Sequence, residues 1–260
     1  MTREYLRLNY VALKTIAIKE THRYLRIWTQ TLLPSAITMT LYFVIFGNLI
    51  GSRIGTMHGY PYMNYIVPGV VMMAVITNSY ANVVSSFFGA KFQRHVEELL
   101  VSPTPNYIIL LGYLTGGIGR GILVGVIVTI IALFFTHLTV HNWLITGSVI
   151  ILTATLFALA GFINGIFAKK FDDVAIIPTF VLTPLTYLGG VFYSIALLPP
   201  FWRKASLANP ILYMVNAFRY GMLGISDIRI TVAYAIIIAF IVALTAFCLW
   251  VLDRGVGLRS

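Results

Sequence analysis

The chain has 260 residues, of which 59% are hydrophobic and only 10% are charged, whereas soluble domains carry about 45–50% apolar and about 25% charged residues. This composition excludes a water-soluble globule, and it argues against a nucleic-acid-binding protein although 18 Lys and Arg outnumber 8 Asp and Glu. Because about 20 consecutive apolar residues cross a bilayer, the sequence predicts an integral membrane protein with several spans.

The first predicted element is an N-terminal helix over residues 1–29. Its apolar residues recur at helical spacing from Leu6 to Trp28, while its basic residues lie off that stripe. This pattern is typical of an amphipathic helix that lies in the headgroup region of a membrane. Such a helix either only anchors the chain or also braces a cytoplasmic partner. Glu20 interrupts the apolar stripe and argues against one straight helix.

Six apolar runs of membrane length follow, so residues 30–252 are predicted to form a transmembrane domain and residues 253–260 a tail. The runs do not alternate polar and apolar residues, which favours helices over the strands of a β-barrel. We therefore predict an all-α membrane protein with six transmembrane helices. The predicted spans are residues 31–50, 65–88, 108–135, 143–167, 174–195 and 231–252.

Lys and Arg are distributed unevenly between the two sides that this layout defines. The N-terminal segment, the second loop, the fourth loop and the tail hold 12 of them, whereas the first, third and fifth loops hold 5. Because cytoplasmic segments are enriched in Lys and Arg, both termini are predicted to be cytoplasmic. The remaining basic residue, Arg120, lies inside the third span.

The loop between the second and third spans predicts a short helix. Residues 91–101 contain no Pro or Gly and place Phe92, Val96, Leu99 and Leu100 at helical spacing. The prolines that follow end the helical pattern. A short amphipathic helix is therefore expected to project into the cytoplasm.

The stretch RHVEELLVSPTP in this loop resembles the R-E-x-x-x-E-x-L-L-V-[ST]-P element of ABC-2 type transporter permeases, the membrane subunits of ATP-driven exporters. In that family the element is a coupling helix that docks in a groove of the ATPase subunit. The resemblance implies that Arg94, Glu97, Glu98, Leu99 and Leu100 contact the ATPase. A solvated loop with an incidental charge cluster is the alternative.

Glycines lie about four residues apart along the third span, with one arginine among them. Small residues at this spacing let helices pack closely in lipid, either within one chain or at an interface that slides to open a channel. Arg120 would be costly if it faced lipid, so we expect it to snorkel to the cytoplasmic headgroups or to bind an anionic substrate headgroup or a partner. The glycines are Gly112, Gly116, Gly117, Gly121 and Gly125.

Amides and threonines also lie within the predicted spans. Lining a polar cavity and forming interhelical hydrogen bonds explain them equally well. These residues are Asn78, Asn82, Asn164, Thr179, Thr183 and Thr186.

The segment between the last two spans carries a second resemblance. Residues 189–224 are similar to the family's G-G-x-F-Y/F-P … L-P … N-P-L-x-Y … R-x-x-x-x-G stretch. The resemblance implies short re-entrant helices that cap the external end of the pathway as a gate, and an ordinary long loop on the headgroups is the alternative. The residues assigned to the gate region are Pro199, Pro200, Asn209, Pro210 and Arg219.

The residues of this external segment support short helices independently. Its prolines prevent one continuous helix. After the last proline, apolar residues recur on one helical face, and three basic residues are expected to stay polar. The apolar residues are Ile211, Val215, Phe218 and Met222, and the basic residues are Arg203, Lys204 and Arg219.

The chain contains no G-x-x-x-x-G-K-[ST] motif, so ATP hydrolysis is expected in a separate subunit and this chain is not expected to be an enzyme. The resemblance implies a homodimer of permeases in the lipid of the bacterial inner (cytoplasmic) membrane, driven by two ABC-type ATPase subunits that bind ATP and Mg. The expected cargo is an amphipathic, lipid-like or glycan-bearing molecule. No catalytic, cofactor-binding or metal site is predicted in this chain.

Two other functions are considered. A stand-alone secondary transporter or channel would need ionisable residues within the spans, and apart from Arg120 they are missing. An intramembrane enzyme would need clustered His or carboxylates at one membrane face. Beyond Asp172 and Asp173, which are best explained as a solvated charge cluster, none is found, and among the dispersed histidines only His137 and His141 share helical spacing.

Overall fold

Six helices of the computed structural model, which describes residues 2–257, are long and apolar enough to cross a membrane. They confirm the predicted number of spans and the all-α fold class. Two antiparallel strands, Thr56–Met57 and Tyr60–Pro61, form a hairpin between the first and second spans. The spans are Trp28–Ile54, Tyr62–Phe92, Asn106–Leu133, Trp143–Phe167, Phe171–Leu188 and Ile230–Arg254.

The first and fifth spans change helical type along their length. Pro178 and Pro184 of the fifth span lack the N–H that an α-helix needs, and π-helical turns are one way in which a helix accommodates such interruptions. The first span comprises Trp28–Thr31, Leu33–Tyr42, a π-helical segment Phe43–Ile50 and Gly51–Ile54. The fifth comprises Phe171–Ile177, a π-helical segment Pro178–Leu182 and Thr183–Leu188.

The fifth span ends earlier than predicted. The prediction extended it to residue 195, but the helix ends at Leu188. Gly189 and Gly190 follow, and Gly190 has a φ of +71°, in the left-handed region that glycine adopts most readily. The chain therefore leaves the helix at this pair, and the residues beyond it belong to the external segment.

The second span lies at the centre of the bundle, packed against the third and fourth spans. Gly117 and Gly121 of the third span lie so close to Ser79 and Val83 of the second that a Cβ atom on either glycine would overlap them. Close contact at small residues is how membrane helices gain packing energy. These glycines therefore serve packing within one chain.

The N-terminal helix is continuous over Thr2–Arg26 and runs along the first half of the third span. Near its start, Asn9 Nδ2 donates to Tyr107 Oη at 3.2 Å. The prediction that Glu20 argues against one straight helix is wrong, because this residue lies within the continuous helix and is fully buried. The placement of residues 1–29 at the headgroups stays a prediction, as does the tail at 253–260, of which residues 258–260 lie outside the described part of the chain.

Hydrogen bonds join the ends of the spans, and the segments next to them, at both ends of the bundle. At one end, Lys91 Nζ donates to the carbonyl of Ala168 at 3.1 Å, and Asn106 Nδ2 donates to Asp253 Oδ1 at 2.7 Å. At the other end, the start of the second span is bonded to the end of the third, and the start of the fourth to the external segment. The ends of successive spans therefore lie at opposite ends of the bundle, which agrees with six crossings of the membrane. Besides the N-terminal helix, the helices outside the spans in residues 2–257 are His95–Val101, the 3₁₀ turn Ile195–Leu197, Pro200–Leu207 and Pro210–Leu223.

Candidate functional site

The loop helix, His95–Val101, starts later than the predicted helix over residues 91–101. Lys91 and Phe92 instead continue the second span. Between the two helices Arg94 adopts a φ of +62°, a left-handed conformation that costs an L-residue about 1–2 kcal/mol. The chain therefore bends sharply at Arg94, which separates the loop helix from the span that leads into it.

The five residues assigned to the ATPase contact fall on different sides of the loop helix. Arg94, Glu97 and Glu98 are exposed. Leu99 and Leu100 are half-buried and pack against an apolar cluster formed by the spans. The structure thus brings the charged residues to the surface and turns the two leucines inward.

Two other residues of the loop helix complete this arrangement. Val96 is buried in the same apolar cluster, as its helical spacing predicts. Val101 is 88% exposed at the end of the helix, before the proline-containing turn.

The external segment folds into the two short helices that the prolines predict, Pro200–Leu207 and Pro210–Leu223. Pro200 and Pro210 each occupy the first position, where the missing N–H of proline has no cost. Pro199 precedes the first of these helices with extended backbone. The apolar face is buried as expected, at Ile211, Val215, Phe218 and Met222.

Asn209 links the second external helix to the fifth span. Its Oδ1 accepts the backbone N–H of Ile211 at 3.0 Å, which caps the helix. Its Nδ2 donates to the carbonyl of Leu185 at 2.5 Å. One side chain therefore satisfies polar groups of two elements.

Arg219 is buried, which corrects the prediction that it stays polar with Arg203 and Lys204, both of which are exposed. Arg219 Nη2 donates to the carbonyl of Gly190 at 2.6 Å, and the guanidinium carbon lies 4.1 Å from the ring centroid of Tyr65. The glycine turn after the fifth span presents carbonyls to the interior. A buried carbonyl needs a donor, and the guanidinium supplies it.

A carboxylate that sequence analysis did not single out, Asp227, extends this cluster. Its two oxygens accept Ser194 Oγ at 2.8 and 2.9 Å, and one also accepts the backbone N–H of Ile195 at 3.1 Å. His58 Nε2 lies 3.6 Å from Asp227 Oδ1. Asp227 is the only Asp or Glu in the segments predicted to be external, and this sequence feature could have identified it.

Arg120 does not extend to the headgroups, so the snorkelling expectation is wrong. Its Nη2 donates to the carbonyl of Thr31 at 3.0 Å and to Asn78 Oδ1 at 2.9 Å. These partners belong to the first and second spans. Arg120 therefore joins three spans, and desolvation is offset by hydrogen bonds within the chain.

A second polar group lies on the N-terminal helix. Arg23 Nη2 donates to Asn82 Oδ1 at 2.8 Å, and Arg23 Nε lies 3.3 Å from Glu20 Oε2. Ser86 Oγ donates to Glu20 Oε1 at 2.7 Å. These bonds hold the N-terminal helix against the second span.

The other polar residues of the spans serve helix packing. Asn164 Nδ2 donates to the carbonyl of Val174 at 3.2 Å, between the fourth and fifth spans. Thr183 and Thr186 donate to carbonyls of their own span. Hydrogen bonding thus explains the amides Asn78, Asn82 and Asn164 without a polar cavity.

The remaining candidates do not form a metal-binding group in residues 2–257. No three His, Cys, Asp or Glu side chains of that range are placed to hold a metal ion. His137 and His141 lie in the non-helical connection between the third and fourth spans, so their helical spacing in sequence does not bring them to one helix face.

Residues 11–223 match the ABC-2 type transporter family, a range that includes both the loop helix and the external helices. The chain belongs to this family. This ABC-2 type permease is 60% identical over 255 residues to the inner membrane transport permease YadH of Escherichia coli K12, which covers 98% of this chain and 100% of the relative. It is 23% identical over 219 residues to nodulation protein J of Rhizobium meliloti strain 1021, covering 84% of this chain and 79% of the relative.

Family membership and the six spans together define the class of protein. The chain is a transporter permease subunit and a multi-pass protein of the inner membrane. Membership in the ABC-2 type family implies an ABC-type ATPase subunit as its partner.

Proposed function

We propose that this ABC-2 type permease forms the substrate pathway of an exporter as a homodimer, driven by two separate ATPase subunits that bind ATP and Mg. The observation that carries the proposal is the two-sided geometry of the loop helix, His95–Val101. Glu97 and Glu98 are exposed, whereas Val96, Leu99 and Leu100 pack on the spans. A partner that binds the charged side would therefore move the spans along with the helix.

The packing beneath the loop helix provides the route for that movement. Val96, Leu99 and Leu100 contact the apolar cluster that includes Phe87 of the second span and Ile109 of the third. Protein interiors are close-packed and transmit displacement rather than absorb it. Force applied at Glu97 and Glu98 would thus reach two spans at once.

The first and fifth spans provide the surface proposed for the second copy. Both are largely exposed in the single chain, with Leu41 at 53% and Phe180 at 73%. The hydroxyls of Tyr42 and Tyr187 join these two spans at 2.9 Å on an exposed face. Hydroxyl groups are disfavoured against lipid, so a second protomer related by twofold symmetry suits this face better.

This dimer seam also suggests the class of substrate. It combines exposed apolar side chains with the hydroxyls of Tyr42 and Tyr187. Such a surface suits an amphipathic, lipid-like or glycan-bearing molecule better than a free ion, which would need charged groups along its path. The proposed direction is export.

The proposed topology places both termini and the loop helix in the cytoplasm, in agreement with the distribution of Lys and Arg. Residues 1–29 would form an interfacial helix, residues 30–252 the transmembrane domain and residues 253–260 the cytoplasmic tail. Leu6 and Tyr10 of the first helix are both 64% exposed, which suits contact with lipid. The external helices would then close the opposite end as a gate.

The coupling proposal is tested by reversing the exposed charges of the loop helix. In the Glu97→Lys, Glu98→Lys variant, we expect normal membrane insertion and an unchanged unfolding midpoint, because both side chains are exposed. Co-purification of the permease with its ATPase should fall about tenfold or more, since the proposed contact would lose two carboxylates and gain two positive charges.

Asp172→Lys is the matched control, because Asp172 is an exposed acidic residue outside both the loop helix and the N-terminal helix. This control should leave ATPase association at the wild-type level. Unchanged association of the double variant would contradict the coupling role. Ion flux through liposomes that contain the permease alone would instead support a stand-alone transporter or channel.

A further inference from the structure

A cavity of about 570 Å³ lies beside the start of the loop helix. It is bordered by the end of the second span, the end of the fourth span and the residues after the sixth. Its lining combines positive charge with aromatic rings. The lining residues on which the argument depends are Phe88, Lys91, Phe92, Arg94, Phe167 and Lys169.

The three cations of this cavity have no carboxylate within 4 Å among residues 4–257. Lys91 Nζ donates to the carbonyls of Ile166 and Ala168, which fixes the ammonium at the wall without neutralising it. The neighbouring acid, Asp173, accepts the backbone N–H of Lys169 at 2.8 Å. The three cations of the cavity outnumber Asp172 and Asp173, the two acids next to Lys169 in sequence, so positive charge in the cavity is left in excess.

Aromatic side chains surround the charges and remain accessible. Phe92 is 61% exposed and Phe167 is 45% exposed. Phe171 is 63% exposed and packs against Phe92 with ring centroids 4.9 Å apart. The site thus offers both a charged pocket and an apolar surface at one end of the transmembrane helices.

We propose that this cavity binds the phosphate headgroup of an anionic membrane phospholipid, with its acyl chains against the exposed phenyl rings. Basic pockets between transmembrane helices recognise such headgroups, and hydrogen bonds between ammonium and phosphate are strengthened by charge. A free anion would use the cations but gain nothing from the rings. The leaflet that supplies the lipid is the cytoplasmic one, and this detail rests on the proposed topology.

The position of the cavity next to the loop helix links lipid binding to coupling. Arg94 lines the cavity and is also the residue at which the chain bends into the loop helix. A headgroup in contact with Arg94 would hold the loop helix in one position relative to the second span. Anionic lipid would therefore stabilise the arrangement that the ATPase meets.

The test is native mass spectrometry of the purified permease without any ATPase, titrated with phosphatidylglycerol, phosphatidylcholine or inorganic phosphate. We expect phosphatidylglycerol to bind at least about fivefold more tightly than phosphatidylcholine. Lys169→Gln should weaken phosphatidylglycerol binding about fivefold, the effect expected for one basic residue near a lipid surface.

Lys170→Gln is the matched control, because Lys170 is the adjacent exposed lysine and does not line the cavity. It should leave lipid binding unchanged, and Lys169→Arg should retain it. Equal binding of the two lipids, equal loss in Lys169→Gln and Lys170→Gln, or displacement of the lipid by inorganic phosphate would overturn the proposal. Because no ATPase is present, the result is independent of the coupling proposal.

Discussion

The two ends of this permease use their polar residues in opposite ways. At the loop-helix end, Glu97 and Glu98 are exposed. At the external end, Arg219 is 1% exposed and Asp227 accepts hydrogen bonds from Ser194 and the backbone. The two carboxylates of the loop helix are exposed to solvent, whereas Arg219 and Asp227 form hydrogen bonds that hold the external segments together.

This difference predicts that substitutions at the two ends have different consequences. Buried polar groups are costly when they lose a partner, so the external segments are held together through Arg219 and Asp227. Exposed charges on the loop helix carry no such cost. Substitutions should therefore affect stability at the external end and association at the loop-helix end.

The largest expected effect on stability is that of Arg219→Ala. It removes the donor to Gly190 and the stacking of the guanidinium on Tyr65, and we expect the free energy of unfolding to fall by about 3 kcal/mol. Denaturant titration of the permease in detergent micelles measures this change. Arg203→Ala, at an exposed position on the neighbouring helix, should change it by less than about 0.5 kcal/mol.

If Arg219→Ala were as stable as Arg203→Ala, the contrast between the two ends would be lost. Arg219→Lys separates the effect of the charge from the effect of the planar guanidinium. It keeps the charge but lacks the planar guanidinium, so it should recover only part of the stability.

A smaller effect is expected for Asn209→Ala. The substitution removes the cap on the second external helix and leaves the carbonyl of Leu185 without this donor. We expect a loss of about 1 kcal/mol in the free energy of unfolding, measured by the same titration. Ser206→Ala, at a buried residue of the preceding helix whose hydroxyl has no hydrogen-bond partner in the described residues, is a control that should cost less. The reverse order would contradict the capping role.

Hydropathy and proline positions predicted much of this fold. The six spans follow from apolar length, and the external helices begin at Pro200 and Pro210 because proline fits the first helical position. The end of the fifth span was placed too late, since apolar residues continue past Leu188. The helix ends where the backbone changes conformation at Gly189 and Gly190.

The side-chain environments of the charged residues were predicted less well, because they depend on distant partners. Arg219 donates a hydrogen bond to a carbonyl 29 residues away in sequence. Arg120 donates to partners 42 and 89 residues away. Helical spacing identifies which residues share a face, but it does not say what that face meets. Leu99 and Leu100 were assigned to the ATPase contact from the family resemblance, and that contact stays a prediction.

Coupling to an ATPase requires the loop helix to face the cytoplasm, and cysteine labelling tests this directly. The chain's single cysteine, Cys248, is buried, while Val101 and Phe201 are 88% and 72% exposed. In spheroplasts with an intact inner membrane, a membrane-impermeant maleimide should label Phe201→Cys and leave Val101→Cys unlabelled until the membrane is opened. Labelling of Val101→Cys from outside the intact inner membrane would contradict the account.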